Sequence, residues 1–230
     1  MPSGAGSAPE VSVPPVTLPR VTLLMIYAGD ADPRAEVTRT GGLPSAPAGF
    51  EWPRCAECGG ALRFLGQVLL SDVPGRDGDD RLVLLFQCDN DPGACETWEA
   101  DSGSTAAPVV ARGGLSPAGP PADGVTVLGA VSGVRFEVSD VEDYGEAREE
   151  YGERTGEPLR VVLGQLGGSA YWLQADQTPG CPDCGKTMTS VAHLEEGRDG
   201  ATAANFGGGG IGYAFLCDGC PASARFFWQV

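Results

Sequence analysis

Residues 181–220, CPDCGKTMTSVAHLEEGRDGATAANFGGGGIGYAFLCDGC, hold two Cys-x2-Cys pairs about thirty residues apart. Zinc takes four thiolates in a tetrahedron, and a Cys-x2-Cys turn brings two sulfurs to one ion while backbone N–H groups point at them. Cys181, Cys184, Cys217 and Cys220 therefore read as one four-cysteine site. Between the pairs, TMTSVAHL alternates as a strand does. The other four cysteines repeat the arrangement upstream, with Cys55-x2-Cys58 followed by Cys88-x6-Cys95. Small turn residues flank three of the pairs (Gly59 and Gly60; Gly185; Gly219), as a tight metal knuckle requires.

The two clusters lie in register. Gly41-Gly42 precedes Cys55 by the same distance that Gly167-Gly168 precedes Cys181, Leu62 matches Met188, and Gln67 matches His193, all at an offset of 126 residues. By the third cysteine the offset has grown to 129, where Phe86 matches Phe215. The pattern predicts a mostly β, α+β chain of two tandem, pseudo-symmetric, strand-rich modules, each with its own four-cysteine zinc knuckle site. The expected divisions are a flexible tail at 1–19, a first module at 20–101, a linker or long loop at 102–124 and a second module at 125–230. Residues 20–230 can pack as one body. Strands are expected at Val21–Tyr27, Arg63–Ser71, Arg81–Cys88, Val125–Leu128, Val134–Val138 and Leu159–Leu163. One helix is expected over 140–154. Ser139 is its N-cap, Glu142 completes a capping box and Gly156 ends it, while Gly145 and Gly152 weaken it.

Composition narrows the classes. Of 230 residues, 42% are apolar and 20% charged, so a packed core is possible, and 35 glycines with 19 prolines favour turns and short strands. The net charge is −16, from 31 acidic against 15 basic residues, which disfavours direct binding of nucleic acid. Two zinc ions, each held by four thiolates, would take the charge to about −20. The first residues have neither a basic region nor an apolar run like those of a signal peptide, and no apolar stretch is long enough for a membrane span. The chain is therefore read as cytoplasmic, where paired cysteines are more often metal ligands than disulfides.

Structural zinc, two ions per chain, is the leading reading of the cysteines. A rubredoxin-like iron site and redox or disulfide chemistry are the alternatives, since ligand type alone does not separate zinc from iron. Cys181-Pro-Asp-Cys184 has the spacing of a thioredoxin-type motif but lacks its βαβ setting. Gly180–Thr187 formally matches the phosphate-binding loop G-x4-G-K-[ST], yet no helix is expected after it and two of its positions are taken by cysteines. Gly207–Gly210 reads as a tight turn beside the metal knuckle. His193, the one histidine, reads as a hydrogen-bonding strand residue equivalent to Gln67. Trp52, Trp98, Trp172 and Trp228 sit near the clusters and are expected to pack around them. No catalytic triad or elbow motif is recognisable, so no catalytic or organic-cofactor-binding residue is assigned.

The segments GGLPSAPAGFEWPRCAECGGALRFLGQV (41–68), GGSAYWLQADQTPGCPDCGKTM (167–188) and NFGGGGIGYAFLCDGCPASARFFWQ (205–229) together resemble the YwqG-like bacterial family of unknown function. The order GG-x-P, Trp, CxxCG, an apolar strand with glutamine and a later cysteine pair is also similar, more distantly, to the programmed cell death protein 2 family. That family is zinc-containing and linked to chaperoning a ribosomal protein. The resemblance implies zinc ligands at all eight cysteines and a β-rich body that holds a protein client. Two departures stand out: the looser Cys88-x6-Cys95 pair, and Gly167-Gly168-Ser169-Ala170, which lacks the proline of GG-x-P.

The function expected is a zinc-stabilised, non-enzymatic protein-interaction module, an adaptor or chaperone for a basic client. Glu137–Glu157, with nine carboxylates against Arg148 and Arg154, is either a solvated helix face or the dock for that client. An immunity protein neutralising a basic toxin, and an enzyme with an unrecognised carboxylate site, are the alternatives.

Overall fold

The structure is a computed structural model and describes residues 21–123 and 129–230. The expected tail at 1–19 and strand at Val125–Leu128 lie outside the described residues. The first half carries β1 (Thr22–Asp30), β2 (Arg39–Thr40), β3 (Ser45–Ala46), β4 (Arg63–Leu69), β5 (Arg81–Gln87), β6 (Thr105–Ala106), β7 (Val109–Ala111) and β8 (Ser116–Pro117). The second carries β9 (Ser132–Ser139), α1 (Tyr144–Thr155), β10 (Val162–Leu166), β11 (Thr189–Glu195), β12 (Ile211–Leu216) and β13 (Ala224–Gln229). The chain is mostly β, as its patterning predicts. Eleven of the described strands form one antiparallel sheet, with β3 and β8 as a separate pair.

The sheet runs β13-β12-β11-β10-β1-β9-β2-β4-β5-β6, with β7 also on β5. Its centre is an exchange between the halves. β1 pairs with β9 and with β10, both from the second half, while β9 reaches back to β2 of the first. At the two ends the sheet nearly closes on itself, where the Thr105 hydroxyl donates to the Phe226 carbonyl and Gln87 Nε2 donates to the Asn205 carbonyl at 2.6 Å.

The 126-residue register holds in the pairing. Arg39 faces Gln67 across β2–β4, and Gln165 faces His193 across β10–β11. Gly41 N–H bonds the Leu65 carbonyl as Gly167 N–H bonds that of Val191. Both glycines have positive φ, 76° and 60°, which side chains with a Cβ rarely adopt.

Alternation divides the side chains between layers. Along β5, Val83 and Leu85 face a core shared by both halves, with Met25, Val191, Ala214 and Phe226. Leu82, Leu84 and Phe86 face outward beneath the first cysteine group. In β12, Tyr213 and Phe215 do the same beneath the second. The helix packs its Tyr144, Ala147 and Tyr151 over Leu24 and Ile26 of β1.

The helix begins later than expected. Asp143, not Ser139, is the N-cap, its carboxylate accepting from Glu146 N–H at 3.0 Å. Ser139 is still paired with Thr22 at the end of β9, and the Thr22 hydroxyl bonds the Val141 and Glu142 carbonyls, so the chain turns before it can coil. Gly156 caps the C-terminus at φ 71°, as expected. The expected strand at Leu159–Leu163 also starts late: Pro158 leads into a 3-10 turn at Leu159–Val161, and pairing begins at Val162. The stretch read as a linker or long loop, 102–124, carries three short strands, two of them laid along β5.

Candidate metal centres

Each cysteine group is built by the same local fold. In the first, Cys55 N–H bonds the Gly60 carbonyl, Gly59 N–H bonds that of Cys55, and Leu62 N–H bonds that of Pro53. In the second, Cys181, Gly185 and Met188 make the same three bonds to Lys186, Cys181 and Pro179. Isolated bridges close both knuckles, Arg54 with Ala61 and Gly180 with Thr187. The second pair of each group hangs from the end of β5 or β12. There Cys88 N–H bonds the Ser104 carbonyl, and Cys217 N–H bonds that of Ser223.

The result is two sets of four sulfurs, Cys55, Cys58, Cys88 and Cys95, and Cys181, Cys184, Cys217 and Cys220. All ligand atoms in each set lie within 4.8 Å of one another. Cys58 and Cys88 approach to 3.6 Å, as do Cys184 and Cys217. A tetrahedral ion with metal–sulfur bonds of about 2.3 Å sets its ligands about 3.8 Å apart, so the spacing suits a metal ion in each set. The looser x6 spacing of the first group therefore does not open it. Cys58 and Cys184 are exposed, while both partners on the strand ends, Cys88 and Cys217, are buried.

The electrostatics also suit a cation. Burial is the leading influence that pushes the Cys55, Cys95 and Cys217 thiols up. The Gly60 N–H is foremost in holding Cys58 down, and the Ser223 hydroxyl draws Cys181 down to about 6. Packed thiols compete for protons, and a divalent cation lets all four ionise together. Two neighbours were not singled out from the sequence. Asn90 Nδ2 lies 3.2 Å from Cys88 Sγ, and Ser223 Oγ lies 3.4 Å from Cys181 Sγ. Their signal is position alone, two residues after Cys88 and three after Cys220.

Aromatic rings floor both sites. Phe86 meets Trp52 edge-on at 5.3 Å, and Phe215 stacks under Trp172 at 5.9 Å. Trp52 donates to the Leu62 carbonyl and Trp228 to the Thr97 hydroxyl, each at 2.7 Å. Trp98 packs against Trp228.

The other motifs resolve into structure. Gly180–Thr187 is the second knuckle, its Lys186 carbonyl taken by Cys181 N–H. The glycine loop folds around Glu196, whose carboxylate accepts from the N–H groups of Phe206, Gly208 and Gly209 at 2.8–3.0 Å. His193 is fully buried away from the cysteines. Its Nε2 accepts from Tyr171 N–H at 3.4 Å, as Gln67 Oε1 accepts from Ser45 N–H at 3.0 Å, again 126 residues apart. The strand role expected for it is the one it has.

Among the described residues no helix is long and apolar enough to cross a membrane. Compared with known protein families and with curated proteins, the chain matches none.

Proposed function

We propose that this is a cytoplasmic, zinc-stabilised, non-enzymatic protein-interaction module, an adaptor or chaperone for a basic client protein. The observation that carries the reading is the pair of closed four-sulfur groups. Four thiolates complete a tetrahedral ion and leave no position for water or substrate, so zinc held there supplies folding energy rather than chemistry. Glu195 is a weak candidate for catalysis. Burial pushes the Glu195 carboxyl up, but Tyr144 and Arg148 hold it at 2.7 and 3.4 Å, and it borders a void of only about 10 Å³. The distant resemblance to the programmed cell death protein 2 family is in keeping with this reading.

The surface supplies the client's charge. On α1, Glu146, Glu149, Glu150 and Glu153 point to solvent with no ion-pair partner among the described residues. A shallow groove lined by Glu149, Glu153, Glu157, Pro158 and Leu159 runs beside them. Long-range attraction of this kind brings a basic protein in quickly and weakens with salt.

Two measurements test this reading. Metal analysis of the purified protein is expected to give two zinc ions per chain; iron, or no metal, sinks the zinc claim. Affinity capture is expected to retain basic proteins at low salt and release them at high salt. Recovery of the same partners at both would sink the electrostatic claim.

A further inference from the structure

Among the described residues, β9 has an open edge. β1 pairs with it from Ser132 to Ser139, but on the other side β2 reaches only Ser132 and Gly133. Among the described residues no strand pairs with Val134–Ser139 on that side. An unpaired strand edge presents alternate N–H and C=O groups and is a template for another strand.

The side chains along this edge divide by face. Val134, Phe136 and Val138 share the face of the common core, opposite Tyr27, Met25 and Leu23. Val134 packs on that core, yet Phe136 is 39% and Val138 62% exposed. The core's apolar surface thus runs out to solvent along the open edge.

Arg135, Glu137 and Ser139 share the opposite face, beneath α1. There a groove of about 290 Å³ is lined by Glu137, Ser139, Asp140, Glu150, Tyr151 and Arg154, with Leu24 at its floor. Arg154 is paired with Glu137. Asp140 and Glu150 have no ion-pair partner among the described residues, so the groove keeps an uncompensated negative charge.

We infer that β9 is the docking edge for an extended segment of the basic client, added as a further strand along Val134–Ser139. The inference rests on the client reading given above and names its site. Period-two alternation decides which segment fits. Apolar side chains would cover Phe136 and Val138 on one face. Lysine or arginine would enter the groove on the other and meet Asp140 and Glu150. A second copy of this chain is a poorer occupant, because its β9 carries one arginine and one glutamate, Arg135 and Glu137, and so brings no net positive charge to Asp140 and Glu150.

The test uses the full chain and a fluorescein-labelled peptide of about ten residues with lysine and valine alternating. The controls are a glutamate–valine version and a peptide of the same composition with all lysines first. In fluorescence polarisation only the alternating lysine peptide is expected to bind well. Hydrogen exchange at 134–139 is expected to slow on binding. Val138→Lys, and separately Phe136→Lys, should each weaken binding by about tenfold or more, with melting temperatures unchanged. Equal binding by wild type and both variants overturns the edge while leaving the basic-client reading standing. Failure of the wild type to bind the peptide, with salt-dependent capture of basic proteins intact, does the same. Failure of both overturns both readings. A dimer in sedimentation that Val138→Lys splits would assign the edge to self-pairing and overturn the proposal.

Discussion

His193 and Gln67 do one job with different chemistry. Each holds the backbone N–H of the residue three or four places after a paired glycine, Ser45 or Tyr171. Their cross-strand partners match too. Arg39 bonds the carbonyls of Gly41 and Leu43 at 2.8 and 2.6 Å, and Gln165 bonds those of Gly167 and Ser169, each at 3.0 Å. The imidazole can accept only while neutral, and burial holds its pKa down to about 3 from an ordinary 6.5. A depressed histidine pKa contributes stability that is present above about pH 6.5 and is lost as pH falls toward 3. His193→Gln installs the residue of the matching position, keeps the acceptor and removes the titration. Its melting temperature is expected to fall less steeply than the wild type's between those limits, where one proton is worth up to about 1.4 kcal/mol per pH unit. Cysteine protonation is common to both proteins, so parallel curves would rule out the histidine's part. At the second cysteine group, Ser223→Ala removes the hydroxyl beside Cys181 Sγ and should weaken metal affinity by about 10–100-fold in a chelator competition, without changing the number of ions bound. Unchanged affinity would show that Ser223 only pins the loop. The eight cysteines and the equivalence of His193 with Gln67 were legible because both rest on spacing. Asn90, Ser223 and the buried Arg39 were not, because nothing in a sequence says which polar side chain will end beside a sulfur or inside a core.

Among the elements, α1 shows where local signals compete. Ser139-x-x-Glu142 and Asp143-x-x-Glu146 both have capping-box spacing, and pairing of Ser139 with Thr22 decides between them. That pairing is a long-range event which a local motif does not record. β6, β7 and β8 fall in the stretch whose sequence predicts a linker for the same reason: each is two or three residues long and exists only because β5 or β3 lies alongside. The two glycines inside the helix looked alike in sequence and differ in space. A Cβ at Gly145 would sit 2.8–3.1 Å from the Tyr171 ring and hydroxyl, and that ring is held edge-on against Tyr144. A Cβ at Gly152 would meet Leu159 Cδ2 at 2.6 Å, the free end of a side chain 38% exposed. Alanine gains about 1 kcal/mol over glycine in a helix, whereas forcing a methyl into packed aromatics costs about 1–3 kcal/mol. Gly152→Ala is therefore expected to raise the denaturation midpoint and Gly145→Ala to lower it. The same sign for both in urea titrations would contradict this reading of the packing.

Across the whole molecule, the exchange at the sheet's centre binds the halves more closely than tandem repeats in sequence imply. The 126-residue offset foretells two like halves, but periodicity does not say which strand pairs with which, so the crossing of β1 and β9 was not legible. The two cysteine knuckles are tied across the same divide. Asp218, inside the second knuckle, pairs with Arg76 of the β4–β5 turn and accepts from the Thr189 hydroxyl, while Arg81 donates to the Pro221 carbonyl. Near the first knuckle, Arg225 pairs with Asp101 at 3.0 Å, and Trp228 bonds Thr97. Structural zinc, if it is the ion held, would supply on the order of 10 kcal/mol of folding energy, comparable with a domain's whole net stability. Loss of one ion should therefore cost both halves. Cys184→Ser, which removes a ligand from the second group only, is expected to lower protection from hydrogen exchange in β4 and β5 of the first half as well as in β11 and β12. The wild type is expected to melt in a single calorimetric transition with metal bound. If the halves were independent, the variant would show two separated transitions, β4 and β5 would keep their protection, and the ion in the first group would be held as tightly as before.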